Sequence, residues 1–138
     1  MKAQPAGYSG TPLWRKLGLE RRKRFLALGA PQNLEALLAG APELERLTRA
    51  AAFDCAVAFA RTQASLATTF AKLEPKLPVD GMIWIAWPKR TSGVATDLTE
   101  DIVRRIGLAA RLVDVKVCAI DAAWSGLKFV RRLRDRRA

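Results

Sequence analysis

Few residues in this chain are placed to do chemistry. The segment WPKRTSG, Trp87 to Gly93, sets an indole close to Lys89, Arg90 and Ser92. Together these would offer a flat aromatic wall and two cations to an anionic ligand; the other reading buries Trp87 and leaves the basic pair solvated. A second candidate is LGAPQN, Leu28 to Asn33, where Gly29 and Ala30 turn the chain from an apolar run into a helical one. Backbone N–H groups at such a turn can meet an anion. Pro31 works against this, because it has no N–H and its ring fills space that a phosphate or methionyl group would need. A dinucleotide fingerprint requires glycines for turning, for close approach and for packing, whereas Gly29 stands alone. The turn reads first as a bend and second as a cofactor loop through Gly29, Ala30 and Asn33. In DAAWSG, Asp121 and Ser125 suit the hydrogen bonding of a tight connection. The acidic group Asp97, Glu100 and Asp101 suits a helix N-terminus, so no metal is expected.

The chain has no histidine. That excludes a Ser-His-Asp triad, a Cys-His pair, a zincin site and any histidine base. Cys55 and Cys118 lie in apolar runs and read as buried thiols rather than a disulfide, and two cysteines alone do not complete a zinc site. Lys128 or Lys116 would serve as a base only if burial depressed its pKa.

Lysine and arginine number 24 against 13 acids, a formal charge of +11. Such an excess favours polyanions. The clusters Arg21, Arg22, Lys23, Arg24 and Arg131, Arg132, Arg134 are the candidates for nucleic acid; the plainer reading is a solvated basic surface, and no nucleic-acid motif accompanies them. No apolar run approaches the ~20 residues of a membrane span. The opening MKAQPAGYSG lacks the apolar core of a secretory signal, which makes a cytoplasmic protein the expectation.

At 138 residues one domain is expected,. Residues 1–10 read as a flexible arm, 11–131 as the folded domain and 132–138 as a basic tail. TPLWRKLG predicts a short helix with Thr11 as N-cap, Pro12 at its first position and Gly18 past its end. FLAL, FDCAVAFA and MIWIAW are apolar on both faces, as central strands are. Asn33 caps LEALLA and Gly40 stops it; PELERL is an edge strand at most. After Thr62, Leu66, Phe70 and Leu73 recur at helical spacing up to Pro75. Asp97 and Glu100 form a capping box for a helix with Ile102, Val103 and Ile106 inward and Gly107 as its stop. LVDVKVCAI and LKFVRRL predict an antiparallel hairpin, with Asp114 and Lys116 a surface pair.

This order predicts a single-domain α/β fold: a Rossmann-like three-layer sandwich whose mostly parallel sheet ends in an antiparallel hairpin. The stretches FDCAVAFARTQASLATTFAKLEPKLPVDGMIWIAWPK and DVKVCAIDAAWSGLKFVRR resemble the core of class I methyltransferases. GYSGTPLWRKLGL, LGAP, WPKR with TDLTED, and LVDVKVCAIDAAWSGLKFV resemble the small bacterial proteins grouped as domain of unknown function 3052 over nearly the whole chain, with the arginine-rich end extending beyond that pattern. This resemblance implies a fold and no particular activity. The leading expectation is a non-catalytic module, without cofactor, that binds a protein partner, a second copy or a small anion near Gly29–Asn33 and Trp87–Ser92. The alternatives are a methyltransferase-like enzyme holding S-adenosylmethionine through an atypical loop, and a nucleic-acid-binding protein.

Overall fold

The computed structural model describes residues 10–135. The arm expected over 1–10, apart from Gly10, and residues 136–138 of the tail lie outside the described residues. Six strands form one sheet: β1 (Arg24–Leu28), β2 (Glu45–Leu47), β3 (Cys55–Phe59), β4 (Met82–Pro88), β5 (Leu112–Ala119) and β6 (Trp124–Arg131). Their order is β2-β1-β3-β4-β6-β5. β2, β1, β3 and β4 pair in parallel, and β6 runs antiparallel between β4 and β5. Four helices accompany the sheet: α1 (Leu13–Leu17), α2 (Leu34–Leu37), α3 (Gln63–Leu73) and α4 (Glu100–Ala109). This is the Rossmann-like three-layer arrangement expected.

Strand alternation divides the interior in two. Ala56, Ala58, Ile83, Ile85, Leu127 and Phe129 pack with Leu66, Phe70 and Leu73 of α3 and Val103 of α4. Cys55, Val57, Trp84 and Ala86 face the other way, onto Leu13 and Leu17 of α1 and Leu34 of α2. Because both faces are covered, β3 and β4 carry apolar residues at every position,. Both cysteines are free thiols, and burial pushes the Cys55 thiol up to about 12. Among the described residues no helix is long and apolar enough to cross a membrane.

Several local expectations change. Helix α1 begins after Pro12, whose extended backbone makes it the cap in place of Thr11; Gly18 ends the helix in the left-handed conformation. Helix α2 is a single turn, and Asn33 makes no side-chain cap bond, since its backbone (φ −89, ψ 14) lacks the extended geometry that aims a side chain back at the first turn,. Asp97 caps the neighbouring helix: its Oδ1 accepts from the Gln63 N–H at 2.8 Å, while Thr99 caps α4 by accepting from the Ile102 N–H at 3.3 Å. Gly107 lies inside α4. Asp114 and Lys116 are no pair, because a bulge between them sends their side chains to different neighbours,. Asp114 accepts from Arg104 Nε at 2.8 Å and Lys116 Nζ donates to the Lys16 carbonyl at 3.3 Å.

Candidate functional site

In an open parallel sheet, ligands sit beyond the carboxyl ends of the strands. Here that edge carries the Gly29 turn after β1, the residues after β3, the long loop after β4 and the β5–β6 connection. Gly29 has φ +65, and a Cβ there would lie 2.9 Å from the Phe59 carbonyl oxygen. Both the left-handed turn and the close approach to β3 therefore require glycine. Gly29, Ala30 and Asn33 are exposed, so among the described residues no side chain fills the space outside the turn. On the next strand the position of a ribose-binding carboxylate is taken by Thr48 and Arg49, which follow β2; Glu45 begins that strand and sits at the opposite edge.

The segment Trp87 to Gly93 opens onto a cavity of about 770 Å³, lined by Trp87, Lys89, Arg90, the loop from Gly93 to Thr99, Glu100 and Ser125. Gly29, Ala30 and Asn33 are not among its lining, so the two halves of the expected site stay apart. Ser92 is a turn residue: its Oγ donates to the Lys89 carbonyl at 2.7 Å and accepts from the Val94 N–H at 3.1 Å. Trp87 is both core and wall, packed with Ile85 and Leu98 yet bordering the cavity. Ser125, expected to hydrogen-bond within the β5–β6 connection, instead lies in β6 and lines this cavity. The β4–β6 register sets it directly opposite Trp87, on the same face of the sheet,. Asp121, by contrast, only closes its turn, its Oδ1 accepting from the N–H groups of Ala123 and Trp124 at 2.8 and 2.9 Å.

The two basic clusters both fall at the opposite, amino-terminal edge of the sheet, since β6 is antiparallel to β4. Two of the arginines are committed to the fold. Arg24 grips Asp54 through its backbone N–H at 2.7 Å and its guanidinium at 3.2 Å. That guanidinium hydrogen bond is the main reason the Asp54 carboxyl is held below its ordinary value of 3.8. A carboxyl depressed by folding stabilises the protein above its unfolded pKa and loses that contribution as pH falls through the folded one. Asp54→Asn is thus expected to lower stability at neutral pH, the gap to the parent closing below pH 3.8; urea titrations at several pH values check this.

Arg131 is the other. It donates to Glu74 Oε2 at 2.6 Å, to the Glu74 carbonyl at 2.7 Å and to the Leu77 carbonyl at 2.7 and 3.1 Å. These carbonyls lie in the turn after α3, so the guanidinium closes that helix end from β6. Arg131→Ala should cost about 2–3 kcal/mol, read from the denaturation midpoint, and Arg131→Lys should restore only part, because one ammonium does not match the planar fork. Arg132 donates to the Leu108 carbonyl at 2.9 Å. Arg21, Arg22, Lys23 and Arg134 are exposed. Glu43 and Glu45 border the same surface hollow as Arg22 and offset its charge. Among the described residues no His, Cys, Asp and Glu group is arranged to hold a metal ion.

Neither protein-family models nor curated proteins give a match to this chain. Solved structures do. The Burkholderia thailandensis 1,6-didemethyltoxoflavin-N1-methyltransferase, solved with bound 1,6-didemethyltoxoflavin and S-adenosylhomocysteine, is 15% identical, with a TM-score of 0.57 over 86% of this chain and 74% of its own. Aeropyrum pernix fibrillarin with natively bound S-adenosyl-L-methionine is 13% identical, with a TM-score of 0.54 over 86% and 73%. An O-methyltransferase from neocarzinostatin biosynthesis, in complex with S-adenosylmethionine, gives a TM-score of 0.62 at 12% identity; this chain spans about half of it, 51%, while 92% of this chain is covered. The chain has the Rossmann-like methyltransferase fold, a six-stranded mixed sheet closed by an antiparallel strand.

Proposed function

We propose that this protein binds S-adenosylmethionine outside the turn that follows β1, as a methyltransferase-like protein. The observation that supports the reading is the fold likeness itself: proteins solved with S-adenosylmethionine or S-adenosylhomocysteine overlie 86–92% of the chain. The local geometry is compatible on one side. Gly29 and Ala30 are exposed and leave the strand end open among the described residues. On the other side the fit is poor, since Pro31 offers no N–H and Thr48 and Arg49 offer no carboxylate to a ribose. Each absent charge-assisted hydrogen bond removes about 1.5–3 kcal/mol, which puts the expected affinity nearer millimolar than micromolar.

Calorimetric titration with S-adenosylmethionine and S-adenosylhomocysteine tests this directly. A saturable signal is expected, lost in Ala30→Trp, which blocks an exposed position without disturbing the core. No saturable heat up to ~5 mM ligand would overturn the reading. The second reading, a cofactor-free module on the same fold, is favoured by Pro31 and by the missing carboxylate, and it is the outcome such a result would select. A fold of this kind hosts more than one function, so the site decides.

A further inference from the structure

We infer that the cavity over Trp87 and Ser125 is a binding site for a small molecule bearing a carboxylate or phosphate group. Its lining does not include the Gly29 turn, so the inference stands whether or not the cofactor reading does. The lining holds two acids and two bases. Both acids are occupied: Asp97 accepts from the Gln63 N–H at 2.8 Å, and Glu100 Oε2 pairs with Arg104 Nη2 at 2.6 Å. Among the described residues neither Lys89 nor Arg90 has a carboxylate partner. What the cavity offers a ligand is therefore two cations without ion-pair partners beside an aromatic ring, with the Asp97 carboxylate as the one acid in the wall that no cation neutralises.

The donors extend this. The indole N–H of Trp84 is bonded to the Leu17 carbonyl at 2.9 Å, but the Trp87 N–H has no partner among the described residues. Every fully buried side-chain nitrogen or oxygen among the described residues does have one, so the Trp87 N–H keeps some contact with solvent although the residue is only 5% exposed. The Ser125 hydroxyl, opposite Trp87 across the β4–β6 pair, is likewise unengaged among the described residues. The loop forming the remaining wall is held in place in advance. Thr96 Oγ1 donates to the Arg61 carbonyl at 2.7 Å, the Asp97 N–H donates to the same oxygen at 3.3 Å, and the Lys89 N–H donates to the Ala123 carbonyl at 2.8 Å. A prearranged wall lowers the ordering cost of binding. The volume, about 770 Å³, falls within the usual span for small-molecule sites, roughly 300–1,000 Å³,.

The test uses the full chain, ¹⁵N-labelled, and follows the Trp87 indole resonance, assigned by its loss in Trp87→Phe. The probes are benzoate, phenyl phosphate and neutral benzyl alcohol. Saturable shifts with one or both anions and none with the alcohol are expected, and the stronger anion identifies carboxylate or phosphate as the group recognised. Lys89→Ala combined with Arg90→Ala should weaken that binding at least ~10-fold without moving the unfolding midpoint, as the loss of charge-assisted bonds implies. The proposal is overturned by an equal response to benzyl alcohol, by unchanged affinity in the double variant, or by no saturable shift up to ~10 mM.

Discussion

Trp84→Ala is expected to lower the stability of this domain by about 3–5 kcal/mol, a large fraction of the 5–15 kcal/mol typical of such folds. Trp84 is fully buried in β4, between β3 and β6, and faces the core shared with α1 and α2. Its removal leaves a cavity that two neighbouring strands prevent from collapsing. It also orphans the Leu17 carbonyl, which ends α1 and accepts the indole N–H at 2.9 Å. With five residues, α1 has no stability of its own and depends on this anchorage,. Trp84→Phe keeps most of the volume and loses only the hydrogen bond, so its cost should be about 1–2 kcal/mol. Denaturant titration of both variants separates the two contributions. Equal losses would mean that the bond to α1, and not the packed ring, carries the energy.

The strands were legible because their signal is local. A central parallel strand is apolar on both faces, and FLAL, FDCAVAFA and MIWIAW announce this within a few residues. The edge position of PELERL followed from its charges. Caps were harder to read, because a cap depends on which amide lies nearby. Asp97 has the right spacing to cap α4, yet it bonds to Gln63, 34 residues away. The loop after β4 must first cross to the end of β3 before that amide is within reach, and composition does not record the crossing. Gly107 misled for a similar reason. Glycine after an apolar stripe reads as a stop, but here it is small so that another strand can approach.

The candidate site divides along the same line. Trp87, Lys89 and Arg90 are contiguous, and the sequence brought them together without help. Ser125 joins them only because β6 inserts between β4 and β5, an order that chain sequence alone does not dictate. Gly29 lies two strands from Trp87, with β3 between, and for that reason the turn and the cavity are separate features rather than one cleft. Arg24 and Arg131 show the converse error. Each sits in a basic run that reads as solvated, but each reaches an acid distant in sequence, Asp54 or Glu74. What remains of the basic surface is smaller and more interleaved with glutamate than the net charge suggests.

Gly107→Leu should cost about 3 kcal/mol or more, and even Gly107→Ala should destabilise, although alanine is worth about 1 kcal/mol more than glycine inside a helix. Gly107 is in the last turn of α4, still at a helical position, where a glycine is a standing penalty unless something needs the space,. That something is Phe129. A Cβ on Gly107 would overlap the edge of the ring, lying 2.5 Å from Cζ and 2.7 Å from Cδ1. The ring has no freedom to retreat, because Phe129 is fully buried and packs edge-to-face on Phe70 with centroids 5.2 Å apart. The close approach lets α4 lie against β6, and it thereby fixes the helix whose N-terminal residues border the Trp87 cavity. Combining Gly107→Ala with Phe129→Leu should cost less than the sum of the two single changes, since the smaller side chain relieves the overlap; denaturation of all four proteins gives this coupling. Strict additivity, or a Gly107→Ala variant more stable than the parent, would show that α4 can shift away from the sheet and that Phe129 does not set its distance.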